Sequence, residues 1–255
     1  MIYRSELYAP DLHKLFYKHV NSRVMAHSNG HDVPSDWFDK DDDDEQFGIY
    51  KRCGCMTHDE CAIVFSIAKR VRDAESWLPF LDIGSHTLFT TCFLAEAGNQ
   101  VTAVDPMYRV EEFENRAMMN GAAYKGKIKL FAGTSNEFFK QYDSKRKFAG
   151  VIIDGDHDSP CPLDDAKNAH SVLYDDGVII FHDVSGKPVQ DGIEWLISKG
   201  YNYRIYFTPH VVAVCWRGRF DPPSHTPDEK IKNLFVSIDA QMKRGQLVHG
   251  NSVNS

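Results

Sequence analysis

The chain alternates between short apolar runs and stretches in which apolar residues recur at helical spacing. The clearest alternation predicts a strand from Phe80 to Ile83, a helix from Thr90 to Ala97 and a strand from Val101 to Val104. Gly84 begins the turn after the first strand, and Asp105 ends the second strand. This order predicts a βαβ unit with parallel strands, whose carboxyl ends open on one crevice.

The alternation continues beyond this unit. The further predicted elements are a helix from Val110 to Asn120, a strand from Lys127 to Phe131, a helix from Ser135 to Tyr142, a strand from Gly150 to Ile153, a helix from Asp164 to Leu173, a strand from Val178 to Phe181 and a helix from Val189 to Lys199. The last two strands run from Tyr201 to Phe207 and from Val211 to Trp216, too close together for an intervening helix. The pattern predicts an α/β, doubly wound, seven-stranded sheet, mostly parallel, with one antiparallel strand near its C-terminal edge.

Three regions of the chain are predicted to differ in organisation. Residues 1–50 form an N-terminal extension or lid with a short helix from Pro10 to Val20. Residues 51–218 form the main domain. Residues 219–255 form a C-terminal helix, from Pro227 to Arg244, and a tail that frays.

The main domain is predicted to begin with a helix. Three cysteines and a histidine lie between positions 53 and 61, but their spacing is not a common zinc pattern and no second ligand pair follows. The better interpretation is a helix with Thr57 as N-cap and Glu60 as its capping-box partner. The apolar residues expected to pack this helix on the sheet are Ala62, Ile63, Phe65, Ile67, Ala68 and Val71.

Charge and composition narrow the choice of partners. The net charge is −7 and the sequence pI is about 5.9, which argues against a nonspecific grip on nucleic-acid phosphate. The acidic run at 39–45 is interpreted as a solvated loop. No apolar run approaches the ~20 residues that span a bilayer, and no signal-peptide core is present, so a cytoplasmic protein without a membrane partner is expected. Six scattered cysteines do not suggest a disulfide framework.

The predicted crevice carries two features of a nucleoside site. A glycine after the first strand lets a ligand approach the backbone, and a carboxylate ending the second can accept both hydroxyls of a ribose. Gly84 and Asp105 occupy these positions, but the turn lacks the glycines of a dinucleotide fingerprint. It resembles instead the D-x-G-x-x-x-G motif of class I S-adenosylmethionine-dependent methyltransferases, with Asp82 and Gly84 present and Leu88 in place of the last glycine.

This resemblance implies a Rossmann-like fold and S-adenosylmethionine as the cofactor. Gly84 and Ser85 would then contact its methionine portion, and Asp105 its ribose. Residues after the third strand would flank the adenine, while Tyr108 and its neighbour would cover the other face. The full set assigned to the cofactor is Asp82, Gly84, Ser85, Asp105, Met107, Gly133, Thr134, Ser135 and Asp154.

A second group of ionisable residues follows two buried strands. The stretches 151–157 and 178–184 read VIIDGDH and VIIFHDV. Neighbouring parallel strands end side by side, so Asp154, His157, His182 and Asp183 are expected to converge over the crevice. Carboxylates and imidazole brought together there predict a divalent-metal site.

These two stretches resemble the metal-dependent O-methyltransferases of the catechol and macrocin type and the cephalosporin-hydroxylase-like group beside them. The resemblance implies that Asp154, His182 and Asp183 are the metal ligands. His182 stands where many relatives have Asp or Glu, and an imidazole shifts metal preference from magnesium towards manganese, iron or zinc. The catalytic pair would be His157, as the base that takes the acceptor proton, and Asp154; His86 is the alternative base.

The leading hypothesis is an S-adenosylmethionine-dependent methyltransferase that methylates a hydroxyl of a small molecule, of sugar or natural-product type, with Mg²⁺ or Mn²⁺. One alternative is a metal-free small-molecule N- or O-methyltransferase. Another is a degenerate nucleoside-binding module without turnover, because Leu88 narrows the pocket. The expected partner is a small-molecule acceptor and not nucleic acid, and an N-terminal lid exchanged between subunits would give a homodimer.

Overall fold

A computed structural model describes residues 56, 58–74, 77–208 and 210–225 of the 255-residue chain. The predicted lid at 1–50, the N-cap Thr57 and the helix from Pro227 to Arg244 lie outside the described residues. Within them, no helix has the length and apolar character that crossing a bilayer requires. The cytoplasmic location, the homodimer and the three-part division of the chain stay predictions.

Helices and strands alternate along the described chain. The α-helices are α1 (His58–Asp73), α2 (Phe89–Glu96), α3 (Glu111–Asn120), α4 (Ser135–Gln141), α5 (Cys161–Val172) and α6 (Lys187–Ser198). The strands are β1 (Phe80–Ile83), β2 (Val101–Asp105), β3 (Ile128–Ala132), β4 (Phe148–Ile153), β5 (Leu173–Phe181), β6 (Asn202–Tyr206) and β7 (Val212–Trp216). Short 3-10 turns follow β2 and α3, at Pro106–Arg109 and Gly121–Tyr124.

The strands form one seven-stranded sheet in the order β3-β2-β1-β4-β5-β7-β6. Strands β1 to β5 are mutually parallel, and β7 is inserted antiparallel between β5 and β6. This confirms the predicted α/β fold class, including the single antiparallel strand near the C-terminal edge.

The largest difference from the predicted boundaries lies at β5. This strand begins at Leu173 rather than Val178, because three exposed residues, 174–176, belong to the strand before its buried half begins. An apolar run marks only the buried half of a strand, so the polar beginning was not visible in the pattern.

The sheet is covered on both faces. Helix α1 packs on one face through the predicted apolar residues, of which Ala62, Ile63 and Ile67 are fully buried. The other face is covered by α5 and α6, whose Ala166 and Ile193 belong to the second core cluster. All six residues of β4 are buried, as expected for a central parallel strand. This double cover leaves the two ends of the strands as the places where polar groups gather.

Candidate functional site

A cavity of about 500 Å³ opens at the carboxyl ends of the parallel strands. The loops after β1, β2, β3, β4 and β5 all contribute to its wall. Nine of the predicted site residues line it: Gly84, Ser85, His86, Asp105, Thr134, Ser135, Asp154, His157 and Asp183. The other predicted residues do not belong to the wall: Asp82, Met107, Tyr108, Gly133 and His182.

Gly84 allows the β1 loop to approach the end of β4 closely. Its φ is +80°, and a Cβ at this position would overlap the backbone carbonyl of Asp154. Only glycine combines that backbone conformation with the available space. The close approach brings the β1 turn and the Asp154 loop to the same wall.

Leu88 does not narrow the cavity. The hypothesis of a nucleoside-binding module without turnover depended on such a narrowing. The residue has φ +69° at the start of α2, a left-handed conformation that glycine adopts most easily. Its side chain is 1% exposed and lies in the core cluster below the sheet loops, away from the cavity wall. Leu88 thus combines a glycine-like backbone conformation with a side chain that packs in the core.

Asp105 is held by two backbone donors. The amide of His86 donates to Asp105 Oδ2 at 2.8 Å, and the amide of Met107 donates to Oδ1 at 2.8 Å. Each carboxylate oxygen keeps a second lone pair for a ligand. The carboxylate lines the cavity and is therefore positioned to accept hydroxyl groups there.

The residues expected around the adenine divide between wall and core. Thr134 caps α4 in a capping box with Glu137, and its neighbour Ser135 lines the same wall. Tyr108 is buried and its hydroxyl lies 2.7 Å from Ser85 Oγ; burial raises the pKa of this phenol. Pro106, rather than Tyr108, reaches the cavity wall after β2.

Asp82 lies buried beneath the cavity. Thr91 Oγ1 donates to Asp82 Oδ2 at 2.5 Å, while Oδ1 has no hydrogen-bond partner among the described residues. Burial raises the pKa of Asp82 to about 7, and the charges of Asp154 and Asp105 add to that effect. Asp82 therefore supports the turn from below and does not contact the cavity.

The predicted metal ligands lie close together beside the cavity. Asp154 and Asp183 line the wall, and the buried His182 lies between them. His182 Nδ1 lies 3.1 Å from Asp154 Oδ1 and 3.1 Å from Asp183 Oδ2. His157 Nε2 lies 3.6 Å and 3.4 Å from the same two oxygens. Burial alone would raise the pKa of Asp154, but the neighbouring imidazoles hold it below its usual value. Contact with Asp154 raises the pKa of His157.

Glu60 and His210 were missed as members of this cluster. Glu60 is fully buried, with Oε2 3.5 Å from His182 Nε2 and 3.3 Å from His210 Nδ1. The amide of His210 donates to Glu60 Oε1 at 2.9 Å. The sequence feature that could have identified Glu60 is its position directly before the apolar residues 61–64. The capping-box interpretation accounted for this acidic residue without a histidine partner.

His182 interacts electrostatically with the carboxylates on both of its sides, Glu60 on one and Asp154 and Asp183 on the other. Burial alone would lower the pKa of His182, but the surrounding carboxylates hold it well above its usual range. Burial alone would raise the pKa of Glu60, but His182 and His210 hold it well below. The buried cluster thus pairs each charge with an opposite one, as buried charges require.

The wall as a whole is acidic. Its carboxylates are Asp105, Asp154, Asp156, Asp165 and Asp183, and among the described residues that line it there is neither a lysine nor an arginine. Burial raises the pKa of Asp165 to about 6. The cavity therefore favours a ligand that carries a positive charge.

Comparison with known proteins agrees with this geometry. A family model described as a methyltransferase domain matches residues 81–184, which contain every residue of the cavity wall. No curated protein is significantly similar to the chain in sequence.

Several solved structures share the fold. A Staphylococcus aureus protein provisionally assigned as a caffeoyl-CoA O-methyltransferase is 19% identical, with 60% of this chain and 82% of that chain covered and a TM-score of 0.50. A methyltransferase from Geobacter sulfurreducens is 13% identical, with 78% and 98% covered and a TM-score of 0.55. The O-methyltransferase TomG from Streptomyces achromogenes, involved in tomaymycin synthesis and solved with S-adenosylmethionine, is 12% identical, with 78% and 97% covered and a TM-score of 0.52.

These likenesses establish the fold, and the family match places the methyltransferase domain on the strands and loops that build the cavity. The comparisons thus assign a methyltransferase domain to residues 81–184.

Proposed function

We propose that the protein transfers the methyl group of S-adenosylmethionine to a hydroxyl of a small molecule, with a divalent cation held by Asp154, His182 and Asp183. The observation that carries this proposal is the convergence of these three side chains beside the cavity that contains Asp105. Asp154 and Asp183 line that cavity, and His182 lies buried behind them. The acceptor would be of sugar or natural-product type, as the resemblance implies.

The cofactor side of the proposal rests on the turn after β1. Gly84 and Ser85 would face the methionine portion, and Asp105 would accept the ribose hydroxyls. The two amides that hold Asp105 keep its oxygens in place before the cofactor arrives. The acidic wall favours the positive sulfonium over its neutral product, which supports release after transfer.

The metal side rests on ligand spacing. Atoms in adjacent octahedral positions, each about 2.1–2.2 Å from one ion, lie roughly 3.0–3.1 Å apart. The two contacts of His182 Nδ1 with Asp154 and Asp183 are both 3.1 Å, longer than the ~2.8 Å of a charge-assisted hydrogen bond. Two carboxylates and one imidazole suit Mn²⁺ better than Mg²⁺. The side chains therefore fit a divalent cation.

Glu60 supports the orientation of His182. A metal-ligating imidazole usually presents its second ring nitrogen to a carboxylate, which fixes the tautomer. Glu60 lies at His182 Nε2 and leaves Nδ1 facing the other two ligands. His210 holds Glu60 in turn through both its amide and its ring.

The chemistry requires the acceptor oxygen to lose a proton as it attacks the methyl carbon. A bound divalent cation would lower the pKa of the acceptor hydroxyl and orient its oxygen. His157 lies half exposed beside Asp154 and Asp183, where it can take that proton. Both carboxylates then stabilise the imidazolium that forms.

A metal-free methyltransferase is the second candidate, favoured by the charge balance around His182. The carboxylates hold the pKa of His182 well above its usual range, so an imidazolium can occupy the centre of the cluster without a cation. In that case His157 alone would activate the acceptor.

The test is calorimetric titration of S-adenosylmethionine into metal-stripped protein, repeated with Mg²⁺ and Mn²⁺. Asp105→Ala is expected to weaken cofactor binding at least about 100-fold, since two charged hydrogen bonds are lost. Asp154→Asn with Asp183→Asn is expected to abolish Mn²⁺ uptake. Asp191→Asn should change neither, because Asp191 pairs with Lys187 on α6 and lies outside the cavity wall. Cofactor binding without metal uptake would favour the metal-free candidate. Absence of cofactor binding would overturn the proposal.

A further inference from the structure

A second cavity, of about 730 Å³, opens at the opposite edge of the sheet, where the parallel strands begin. We call it the amino-edge cavity. Its wall consists of Trp77, Leu78, Pro79, Gln100, Val101, Thr102, Lys127, Lys129, Tyr142, Lys145, Arg146, Lys147, Phe148 and Tyr174. Strands β1 to β4 are four to six residues long and run from one edge of the sheet to the other, so the two cavities are separated by roughly 13–20 Å.

Five cations converge on this wall. They are Lys127, Lys129, Lys145, Arg146 and Lys147. The wall contains no carboxylate, and none of the five forms an ion pair with a carboxylate in the part of the chain that the structure describes. On a chain of net charge −7, unpaired cations gathered this closely repel one another, and a bound anion would relieve that repulsion.

Two of the four lysine ammonium groups are held in place by backbone carbonyls. Lys147 Nζ donates to the carbonyl of Ser171 at 2.7 Å, and Lys127 Nζ donates to that of Ala95 at 3.2 Å. An ammonium has three donors, so each can still bind an anion. Fixed cations lose less side-chain entropy on binding than free ones.

Aromatic rings stand at the mouth of the same cavity. Trp77 is 81% exposed and Tyr174 is 45% exposed. The Arg72 guanidinium lies 4.6 Å from the centre of the Trp77 ring, which orients the indole while most of it stays open. An exposed and oriented indole beside a cationic wall is the arrangement that proteins use to stack a nucleobase next to its phosphates.

We propose that the amino-edge cavity binds a nucleotide, with its phosphates on the five cations and its base on Trp77. The ligand chemistry is a phosphate group joined to a flat base, and it can come from a free nucleotide or from a nucleotide within a single strand. This site is distinct from the methyltransferase cavity and does not depend on the proposed reaction.

The test is binding of three probes, measured by calorimetry without added metal: thymidine triphosphate, inorganic triphosphate and a ten-residue oligothymidylate. A pyrimidine is used because it resembles the adenine of the cofactor least. Asp105→Ala should bind thymidine triphosphate as the wild type does, which separates this site from the cofactor cavity.

Two variants test the wall, each with a matched control. Reversing Lys129, Lys145 and Arg146 to glutamate is expected to weaken thymidine triphosphate binding at least tenfold, while reversing the exposed Lys69, Lys167 and Lys199 makes the same change in net charge and should leave it within about twofold. Trp77→Ala is expected to weaken thymidine triphosphate binding about tenfold but inorganic triphosphate less than twofold, and Trp77→Phe should retain most of the affinity.

The outcomes are distinct. Tighter binding of the oligothymidylate than of the triphosphate would support a strand as the source, and the reverse would support a free nucleotide. Equal weakening by both charge-reversal triples, equal affinity for nucleotide and inorganic triphosphate, or no binding of any probe would overturn the proposal.

Discussion

The two ends of the central strands carry opposite chemistry. The cavity at the carboxyl ends of the strands, the carboxyl-edge cavity, has five carboxylates and no lysine or arginine among its described wall residues. The amino-edge cavity has five cations and no carboxylate among its described wall residues. The net charge of −7 averages over both. The net charge therefore describes the electrostatic field far from the protein, but it does not describe the local surface that contacts a ligand.

The two edges also differ in how their charges are satisfied. At the carboxyl edge, Glu60 and His182 are almost completely buried and are paired with each other and with neighbouring groups. At the amino edge, Lys129, Lys145 and Arg146 are exposed and have no carboxylate partner among the described residues. Substitutions at the first edge should therefore change folding and cofactor binding together, while those at the second should change ligand binding alone.

Gly84→Ala is expected to have the largest effect of the substitutions considered at the carboxyl edge. The new Cβ would overlap the carbonyl of Asp154 while the backbone holds φ at +80°, so the β1 turn and the β4 loop would have to separate. We expect a loss of more than about 3 kcal/mol in the free energy of unfolding, and loss of cofactor binding. Denaturant unfolding and calorimetry measure both.

Gly200→Ala is the matched control for the glycine prediction. Its φ is +84°, almost that of Gly84, but no heavy atom lies within 4 Å of the position that a Cβ would take. It should cost only about 1 kcal/mol, the conformational penalty alone. Similar losses in the two variants would show that backbone strain, rather than the close approach to Asp154, explains the glycine at position 84.

Glu60→Gln is expected to have the second largest effect, measured in metal-stripped protein. Removing one charge from the buried cluster leaves His182 without one of its compensating carboxylates, at a cost of about 3 kcal/mol. The carboxylate contributes stability above its unfolded pKa of 4.5, and the imidazole contributes below its unfolded pKa of 6.5. The loss should therefore be largest between pH 4.5 and 6.5 and decrease on either side.

Glu96→Gln is the control for the buried cluster. Glu96 accepts a hydrogen bond from the Tyr124 hydroxyl at 2.6 Å but lies away from the histidines. A loss that does not vary with pH for Glu60→Gln, or that matches the profile of Glu96→Gln, would contradict the coupling of Glu60 to His182.

Asp82→Asn is expected to stabilise the protein at neutral and higher pH. The folded pKa of Asp82 is raised to about 7 from an ordinary value of 3.8, so the wild type loses stability as the pH rises between these two values. The variant should gain about 2 kcal/mol at pH 8, since the amide forfeits part of the bond from Thr91, and almost nothing at pH 4. Chemical unfolding at the two pH values measures this, and Asp191→Asn, at a half-buried residue paired with Lys187, is the control. An advantage that is the same at both would contradict the raised pKa.

The fold was predictable because parallel strands buried on both faces appear as apolar runs. The predicted strands Phe80–Ile83 and Gly150–Ile153 are completely buried, and the ends of these parallel runs place Gly84 and Asp154 at one edge of the sheet. Both residues directly follow such a strand, and both line the cavity.

Three features could not be predicted, each for a physical reason. Glu60 and His210 join the cluster from elements that are distant in the sequence, and no periodic pattern reports which side chains meet across the sheet. Leu88 occupies a glycine-like backbone conformation while its side chain enters the core, and the motif alone suggested a narrowed pocket. The amino-edge cavity depends on the starts of five strands that are separate in the chain.

The smallest effect is expected at the amino edge. Changing Lys129, Lys145 and Arg146 to glutamine removes three exposed charges that make no ion pair with the described carboxylates, so no native contact of that kind is lost and some repulsion is relieved. The free energy of unfolding should stay within about 0.5 kcal/mol of the wild type, or rise slightly at low salt. Denaturant unfolding at two salt concentrations measures this. A loss of more than about 1 kcal/mol would mean that these side chains stabilise the fold. The two edges would then differ in the sign of their charge but not in their contribution to stability.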